Sequence, residues 1–349
     1  MAMKITNRTL AQLAGVSPAT VSKVFSSSPE ISPETAERVR RIAVQYGWTP
    51  PKYRQQSVSR RQVSVLVPEL LSVYYGKIAT CAAEALRGWG AEPAISIVGF
   101  AENAQHDVIR HLIADGRSDG ILSVHAWTYK GNSEIPLLEL EPIGKLGTEY
   151  RHDLVVAQKM ESGMEKIFSY LLSLGHRRIA FISEKFTHTK LQIYRALMKA
   201  NGLLAHAEYE FISDKRFEEV GYEGASFFLR RARHDKNYCF PTAIICAYDE
   251  VAFGCIRALR GAGMQIPEDV SVVGINDIMT SAYAYVPLTT VRTFSEEKIR
   301  VAVQTLMEKI ENPTLTVRRK IEIPCELMIR ESTAPPRPDL WKMTEGESL

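Results

Sequence analysis

Cysteine is scarce in this 349-residue chain. Its five (Cys81, Cys239, Cys246, Cys255, Cys325) are scattered and nowhere spaced C-x-x-C, which argues against a zinc cluster or a disulfide framework and predicts free thiols. No apolar run approaches the ~18 residues that a membrane span needs. The opening MAMKITNRTLAQLAG has neither an apolar h-region nor a small-residue cleavage site, so no signal peptide, no membrane and a cytoplasmic setting are expected. The phosphate loops G-x-G-x-x-G and G-x-x-x-x-G-K-[ST], the zinc-protease H-E-x-x-H and the nucleophile elbow G-x-S-x-G are all missing. His106 and His111 are five apart, off the i,i+4 face that suits a metal, and His152-Asp153 has no nucleophile beside it. His176, in GHRR, is expected to hydrogen-bond locally. No catalytic residue, metal or cofactor is expected, and the chain is not read as an enzyme.

Acid is scarce in one stretch only. Of the 43 Lys/Arg and 40 Asp/Glu, ten and three fall within residues 1–61, giving that stretch +7, while the remaining 288 residues carry −4. A short basic head on a mildly acidic body is the footprint of a DNA-binding module joined to something else. Leu10, Leu13 and Ala14 have helical spacing, and Gly15 stops that helix where a left-handed cap is wanted. Ser17 offers a hydroxyl cap with Pro18 at the first helical position, opening a second helix over 18–25 that buries Val21 and Val24. Ala19, Thr20, Ser22, Lys23 and Ser26 are left on its other face. Ser32-Pro33-Glu34 repeats the start signal for a third helix to about Tyr46, with Ala36, Val39, Ile42 and Ala43 inward. Two short helices about a tight glycine turn form the helix-turn-helix pattern, whose second helix enters the major groove.

The string LAQLAGVSPATVSKVFSSSPEISPETAERVRRIAVQYGWTP resembles the DNA-binding head of the LacI/GalR family of bacterial transcription regulators. The resemblance implies base reading at Pro18, Ala19 and Lys23. Lys23 is the one of the three able to hydrogen-bond guanine O6/N7. It implies phosphate contacts at Thr6, Ser17, Ser22, Ser26, Ser32, Thr35 and Trp48, which position the protein without reading sequence. The head is set at 1–49 and a linker at 50–61, where Arg54, Arg60 and Arg61 are further phosphate candidates. Ser57 stands where the family carries a leucine that wedges into the minor groove, so little central kink is expected.

After Arg61, short β-rich runs alternate with helical stretches. Strands are expected at 63–67, 95–98, 120–124, 143–146, 178–183, 208–212, 243–247 and 270–274. Helices are expected at 78–89, 104–115, 157–174, 189–200, 217–233 and 251–261. This βαβ rhythm predicts an α/β fold of two Rossmann-like lobes of parallel sheet over 62–333, followed by a tail, 334–349. No internal repeat stands out. LLSLGHRRIAFI (171–182), PTAIICAYDEVAFGCIRALRGAGMQIPEDVSVVGIND (241–277), PLTTVRT (287–293) and IPCELMIREST (323–333) extend the resemblance over nearly the whole body. It implies a core like the periplasmic sugar-binding proteins: two lobes, three crossovers and a ligand between them.

Ligands of parallel α/β sheets lie at the carboxyl ends of the strands. That places Tyr74, Tyr75, His125, Trp127, Thr189, Arg216, Phe217, Tyr248, Asp249, Asn276 and Asp277 as candidates, aromatics with a few polar groups that suit a sugar ring. Three positions depart from the family. Thr189, beside Lys190, replaces the sugar-clamping arginine, Tyr248-Asp249 replaces an Asn-Asp pair, and Asn276 replaces an aspartate. The expected function is a homodimeric repressor that binds operator DNA, gated by a small molecule, a sugar or sugar derivative. The alternatives are a regulator with a non-sugar effector or none, and a sugar-binding or enzymatic protein carrying an accessory helix-turn-helix. With two adjacent prolines and no heptads in the tail, no tetramer-forming bundle is expected.

Overall fold

The computed structural model describes residues 6–25, 31–45, 61–125, 127–141, 154–203, 207–314 and 319–337, and it divides between Arg61 and Gln62. Ser26, Trp48, Arg54, Ser57 and the strand expected at 143–146 lie outside the described residues.

The head holds three helices, α1 (Asn7–Ala14), α2 (Pro18–Phe25) and α3 (Pro33–Gln45). Each opens on the same device. The hydroxyl oxygens of Thr6, Ser17 and Ser32 accept the backbone N–H three residues on, at 3.2, 3.0 and 3.3 Å, and each pairs with the threonine hydroxyl at that position. Gly15 ends α1 at φ 63°, a left-handed conformation that costs a residue with a Cβ about 1–2 kcal/mol. Leu10, Val21, Val24 and Val39, each at most 2% exposed, meet in one small core.

The body has two six-stranded sheets. In the first, β1 (Gln62–Val67), β2 (Glu92–Ile97), β3 (Gly120–Val124), β4 (Leu137–Leu140), β5 (Leu154–Gln158) and β11 (Arg319–Ile323) lie in the order β11-β5-β4-β3-β1-β2, every pair parallel. Its helices are α4 (Val73–Gly88), α5 (Glu102–Asp115) and α10 (Ser295–Glu311). The second sheet contains β6 (Ile179–Glu184), β7 (Glu210–Ser213), β8 (Ala243–Cys246), β9 (Ser271–Asn276), β10 (Thr289–Arg292) and β12 (Glu326–Met328), ordered β12-β10-β9-β8-β6-β7, with only β12 antiparallel. Helices α6 (Met160–Ser173), α7 (His188–Ala200), α8 (Glu218–His234) and α9 (Asp249–Gly261) belong to it. Strands such as β3 and β6 are buried along their whole length, which is why their sequences run apolar without alternating.

One expectation needs correction. The helix expected from Ala157 begins at Met160, because Leu154-Val-Val-Ala-Gln158 continues a buried parallel ladder between β4 and β11. Sequence reasoning did not mark β4, a run of four residues, Leu137–Leu140, buried throughout although it carries Glu139. The chain passes between the lobes three times, after β5, after β10 and after β11. Gln158 sits at the first passage, and its Nε2 donates to the carbonyls of Ile323 and Pro324 at the third, each at 2.9 Å.

Helices α8 and α9 pack backbone to backbone. A Cβ on Gly221 would lie 1.8 Å from the Val251 carbonyl oxygen, and one on Gly254 1.8 Å from that of Glu218, so only glycine permits the approach. His176 is buried and bonds Thr242, Ser271 and the Ala334 carbonyl at 2.9–3.2 Å. It pins the segment after β12 to the second lobe through partners 66 to 158 positions away in sequence, where a local hydrogen bond was expected.

Candidate functional site

The exposed surface of α2 is small and polar. Pro18, Ala19, Ser22 and Lys23 are exposed along one face, opposite buried Val21 and Val24, as i,i+4 spacing requires. Thr6, Ser17 and Ser32 are exposed at helix starts and Thr35 is part-buried. Their hydroxyls cap N–H groups where the helix dipoles already favour an anion, the setting in which a DNA phosphate is bound. Lys23 is the one long cation on the described α2 face.

Between the lobes, the backbone itself marks a site. All six non-glycine residues of positive φ among the described residues fall at or just beyond the carboxyl ends of strands. They are His125 after β3 (46°), Glu141 after β4 (52°), Phe217 after β7 (61°), Asn276 and Asp277 at β9 (114° and 51°) and Phe294 after β10 (45°). Such conformations cost about 1–3 kcal/mol each, persist only where the surrounding structure enforces them, and cluster at ligand and active sites.

The first lobe's share is built on a buried ion pair. Lys298 of α10, 0% exposed, donates to Glu141, to the Tyr74 hydroxyl at 3.2 Å and to Gln158 Oε1 at 3.2 Å, while Tyr74 in turn donates to Glu141. Burial raises the Glu141 carboxyl, but the charge and hydrogen bond of Lys298 with that of Tyr74 outweigh it and hold it below its ordinary value. Tyr75 meets Tyr74, His125 and Phe100 edge-on, with ring centres 5.2, 5.9 and 6.2 Å apart. Burial pushes the His125 imidazole down to about 4, so it is neutral at pH 7.

The second lobe supplies Lys190, Arg216, Phe217 and Tyr248. Lys190 Nζ donates to the Ala247 carbonyl at 2.7 Å, and burial lowers it, opposed by the fields of Glu141, Asp249, Glu184 and Glu250. The Tyr248 hydroxyl accepts the Phe217 N–H at 3.0 Å, and their rings meet edge-on. Arg216 Nε donates to Glu184 at 3.2 Å. Burial raises the Glu184 carboxyl despite that partner.

Other expected ligands are engaged inside the protein. Asp249 is fully buried. Its carboxylate accepts from Thr290 Oγ1 (2.5 Å), Ser281 Oγ (2.8 Å) and the Ile278 N–H (2.8 Å), and burial lifts it to about 7 against those bonds. Asp277 holds Arg292 and Arg330 at 2.7 and 2.6 Å. The Trp127 indole N–H donates to the Phe100 carbonyl at 3.1 Å, so it supports Phe100 from behind. Thr189 lies part-buried at the start of α7, and its neighbour Lys190 brings the charge. Sequence reasoning missed Glu69, Phe100, Glu141, Glu184, Phe186 and Lys298. The strand-end rule alone finds Glu184 and Glu141, but nothing local marks Lys298, which arrives from a helix 140 residues beyond Gln158.

Comparison with known proteins agrees with this architecture. Residues 8–51 match the family model for bacterial regulatory proteins of the lacI family, and residues 168–333 match that of the periplasmic binding protein-like domain. The HTH-type transcriptional regulator MalR of Streptomyces coelicolor is 30% identical over 93% of this chain and 95% of its own. The solved structure of the transcriptional regulator CelR–cellobiose complex is 26% identical, covering 94% of this chain and 100% of that one with a TM-score of 0.66. A lac repressor dimer bound to operator and the anti-inducer ONPF shares the fold at 21% identity and a TM-score of 0.72, covering 95% of this chain and 100% of that one.

Proposed function

The chain belongs to the lacI family of bacterial regulatory proteins and is a DNA-binding transcriptional regulator rather than an enzyme; from that premise we propose how its two parts divide the work. The head reads an operator through Lys23 on α2, flanked by the apolar Pro18 and Ala19, and is positioned by phosphate contacts from Thr6, Ser17, Ser22, Ser26, Ser32, Thr35, Trp48 and Arg54. The interlobe site binds a small effector that changes the lobe angle and so the fit of two heads on one palindromic operator, acting as a repressor's switch.

The observation that carries the effector reading is the coincidence of strained backbone, perturbed titratable groups and aromatic edges at the carboxyl ends of both sheets. Its charge argues for an uncharged, hydroxyl-rich ligand. Lys190, Arg216 and Lys298 face Glu69, Glu141, Glu184 and Glu250, so an anionic group would add to an existing acidic excess, whereas hydroxyls both donate to carboxylates and accept from Lys190. We place Tyr74, Tyr75, His125, Thr189, Phe217, Tyr248 and Asn276 around it, with Asp249 and Trp127 shaping the walls. Leu71, Met279, Tyr283 and Tyr285, each more than three-quarters exposed, support association of two copies through the body.

The test has two arms. Fluorescence anisotropy on an operator selected from random DNA should give a Lys23→Ala variant about 1–3 kcal/mol weaker on its cognate sequence, with preference relaxed at one base pair. Equal weakening on cognate and random DNA would remove Lys23 from base reading. A thermal-shift panel of neutral sugars and their phosphates should raise Tm with a neutral member; a shift with phosphates alone would overturn the charge argument.

A further inference from the structure

Arg216 stands where the lobes meet. It lies between β7 and α8 in the second lobe, with its side chain 23% exposed. Its Nε donates to Glu184 at 3.2 Å, within its own lobe, and its Nη1 lies 3.6 Å from Oε1 of Glu69 in the first lobe. The guanidinium carbon is 4.5 Å from the ring centre of Phe217, 4.8 Å from that of Phe100 and 5.6 Å from that of Phe186. Phe100 comes from the first lobe and Phe186 from the second, and their rings stack with centres 4.2 Å apart and planes 20° from parallel. A planar cation against aromatic faces, with a carboxylate on either side, is the arrangement that suits arginine and no other side chain.

Glu69 and Phe100 are each held by bonds within the first lobe. Glu69 Oε2 accepts the N–H groups of Leu71 and Ser72 at the start of α4, which leaves Oε1, buried and without a hydrogen bond, directed at Arg216. The chain at Phe100 is fixed by Trp127 on its own carbonyl and by Gln105 Nε2 on the Gly99 carbonyl at 2.7 Å. Burial lowers the Arg216 guanidinium, but the fields of Glu184, Tyr248 and Glu69 more than reverse this.

We propose that Arg216, Glu69, Glu184, Phe100 and Phe186 form a latch that holds the two lobes closed through the protein's own side chains, with no effector needed. The closed form is then the resting state, and an effector acts on a cleft already shut. The inference needs the lobes only, and stands whether or not the effector class proposed above is right.

The test uses the full-length protein without added ligand and follows diethylpyrocarbonate labelling by peptide mass spectrometry. His125, part-buried after β3, lies within the fields of Lys190 and Arg216 of the opposite lobe, and exposed His234 on α8 is the internal reference. In the unaltered protein His125 should label far more slowly than His234. Arg216→Ala and, from the opposite lobe, Phe100→Ala should each speed His125 by about tenfold, the gain expected when an open form rises from about 10% to most of the population. His234 should not change, and Arg216→Lys should fall between. If Arg216→Ala fails to fold by circular dichroism, Arg216→Lys and Phe100→Ala carry the test. Labelling of His125 as fast as His234 in the unaltered protein overturns the latch. So does an unchanged His125 rate in the folded variants, or an increase from one lobe's variant only.

Discussion

Removing Glu141 and removing Lys298 should not cost the same, although they are the two halves of one ion pair. Lys298 is 0% exposed and Glu141 is 14% exposed. Glu141→Leu leaves an ammonium in the interior with only the neutral Tyr74 hydroxyl and Gln158 amide oxygen as partners, and a stranded buried charge costs about 3–5 kcal/mol. Lys298→Met leaves a carboxylate that still accepts from Tyr74 and still touches water, so its loss should be about 1–3 kcal/mol. The double variant replaces both charges with apolar groups of similar bulk and should be more stable than Glu141→Leu alone. Urea unfolding of all four proteins, comparing midpoints at constant slope, measures the cycle. Acid titration adds a second check. Glu141 is held below its ordinary value in the folded protein, so its contribution is present above the unfolded value near ~4.3 and is lost as pH falls through the folded one. Without Glu141 that part of the acid limb should vanish. Equal costs for the two single variants, or a double variant less stable than both, would refute the account of this pair.

Gly254→Ala should destabilise by the upper end of the ~1–3 kcal/mol of an overpacked core or beyond, because its Cβ meets the Glu218 backbone rather than a side chain that can turn away; a calorimetric melt within a degree of the parent would contradict this. His125 is neutral in the closed cleft down to about pH 4 and titrates near 6.5 when solvated, so closure should weaken as pH falls from 6.5 towards 4. Imidazole NMR reads that midpoint directly, and a midpoint near 6.5 in the ligand-free protein would place His125 in water. Ser57 is too small and polar to fill an unstacked base step, so circular-permutation gel shifts should show little bend at the operator centre; a strong central bend would refute it.

The head was legible because its signals are local: a hydroxyl, a proline or glycine, and apolar residues three and four apart lie within one helix length of each other. The alternation of strands and helices was legible for the same reason, and its errors fell where local rules conflict. Ala157 and Gln158 suit a helix as well as a strand, and only a ladder with β11, more than 160 residues on, settles them as strand. The two lobes share one strand order, each running from an edge strand through a first strand to three more and a returning strand, yet no sequence repeat announces it. Topology survives with different side chains because a parallel ladder asks only for buried apolar residues. The interlobe chemistry was half legible. Strand ends pointed to Tyr75, His125, Arg216 and Tyr248, whereas Lys298 and Phe100 gain their roles only from how distant segments pack. Asp249 looked like a ligand because it follows a strand, but Thr290, Ser281 and Ile278 occupy its oxygens.

Gln158 joins all three passages between the lobes. It lies on the first, its amide nitrogen grips the third, and its oxygen accepts from Lys298 of α10, the helix that the second passage feeds. Three strings tied at one knot swing as a single hinge. Sliding at this point is resisted, because any translation must stretch hydrogen bonds to two carbonyls and a buried ammonium together, whereas rotation about it need not. The binding site and the pivot therefore share a residue network. Whatever disturbs Lys298 or Glu141 in the cleft also tightens or loosens the joint on which the cleft opens.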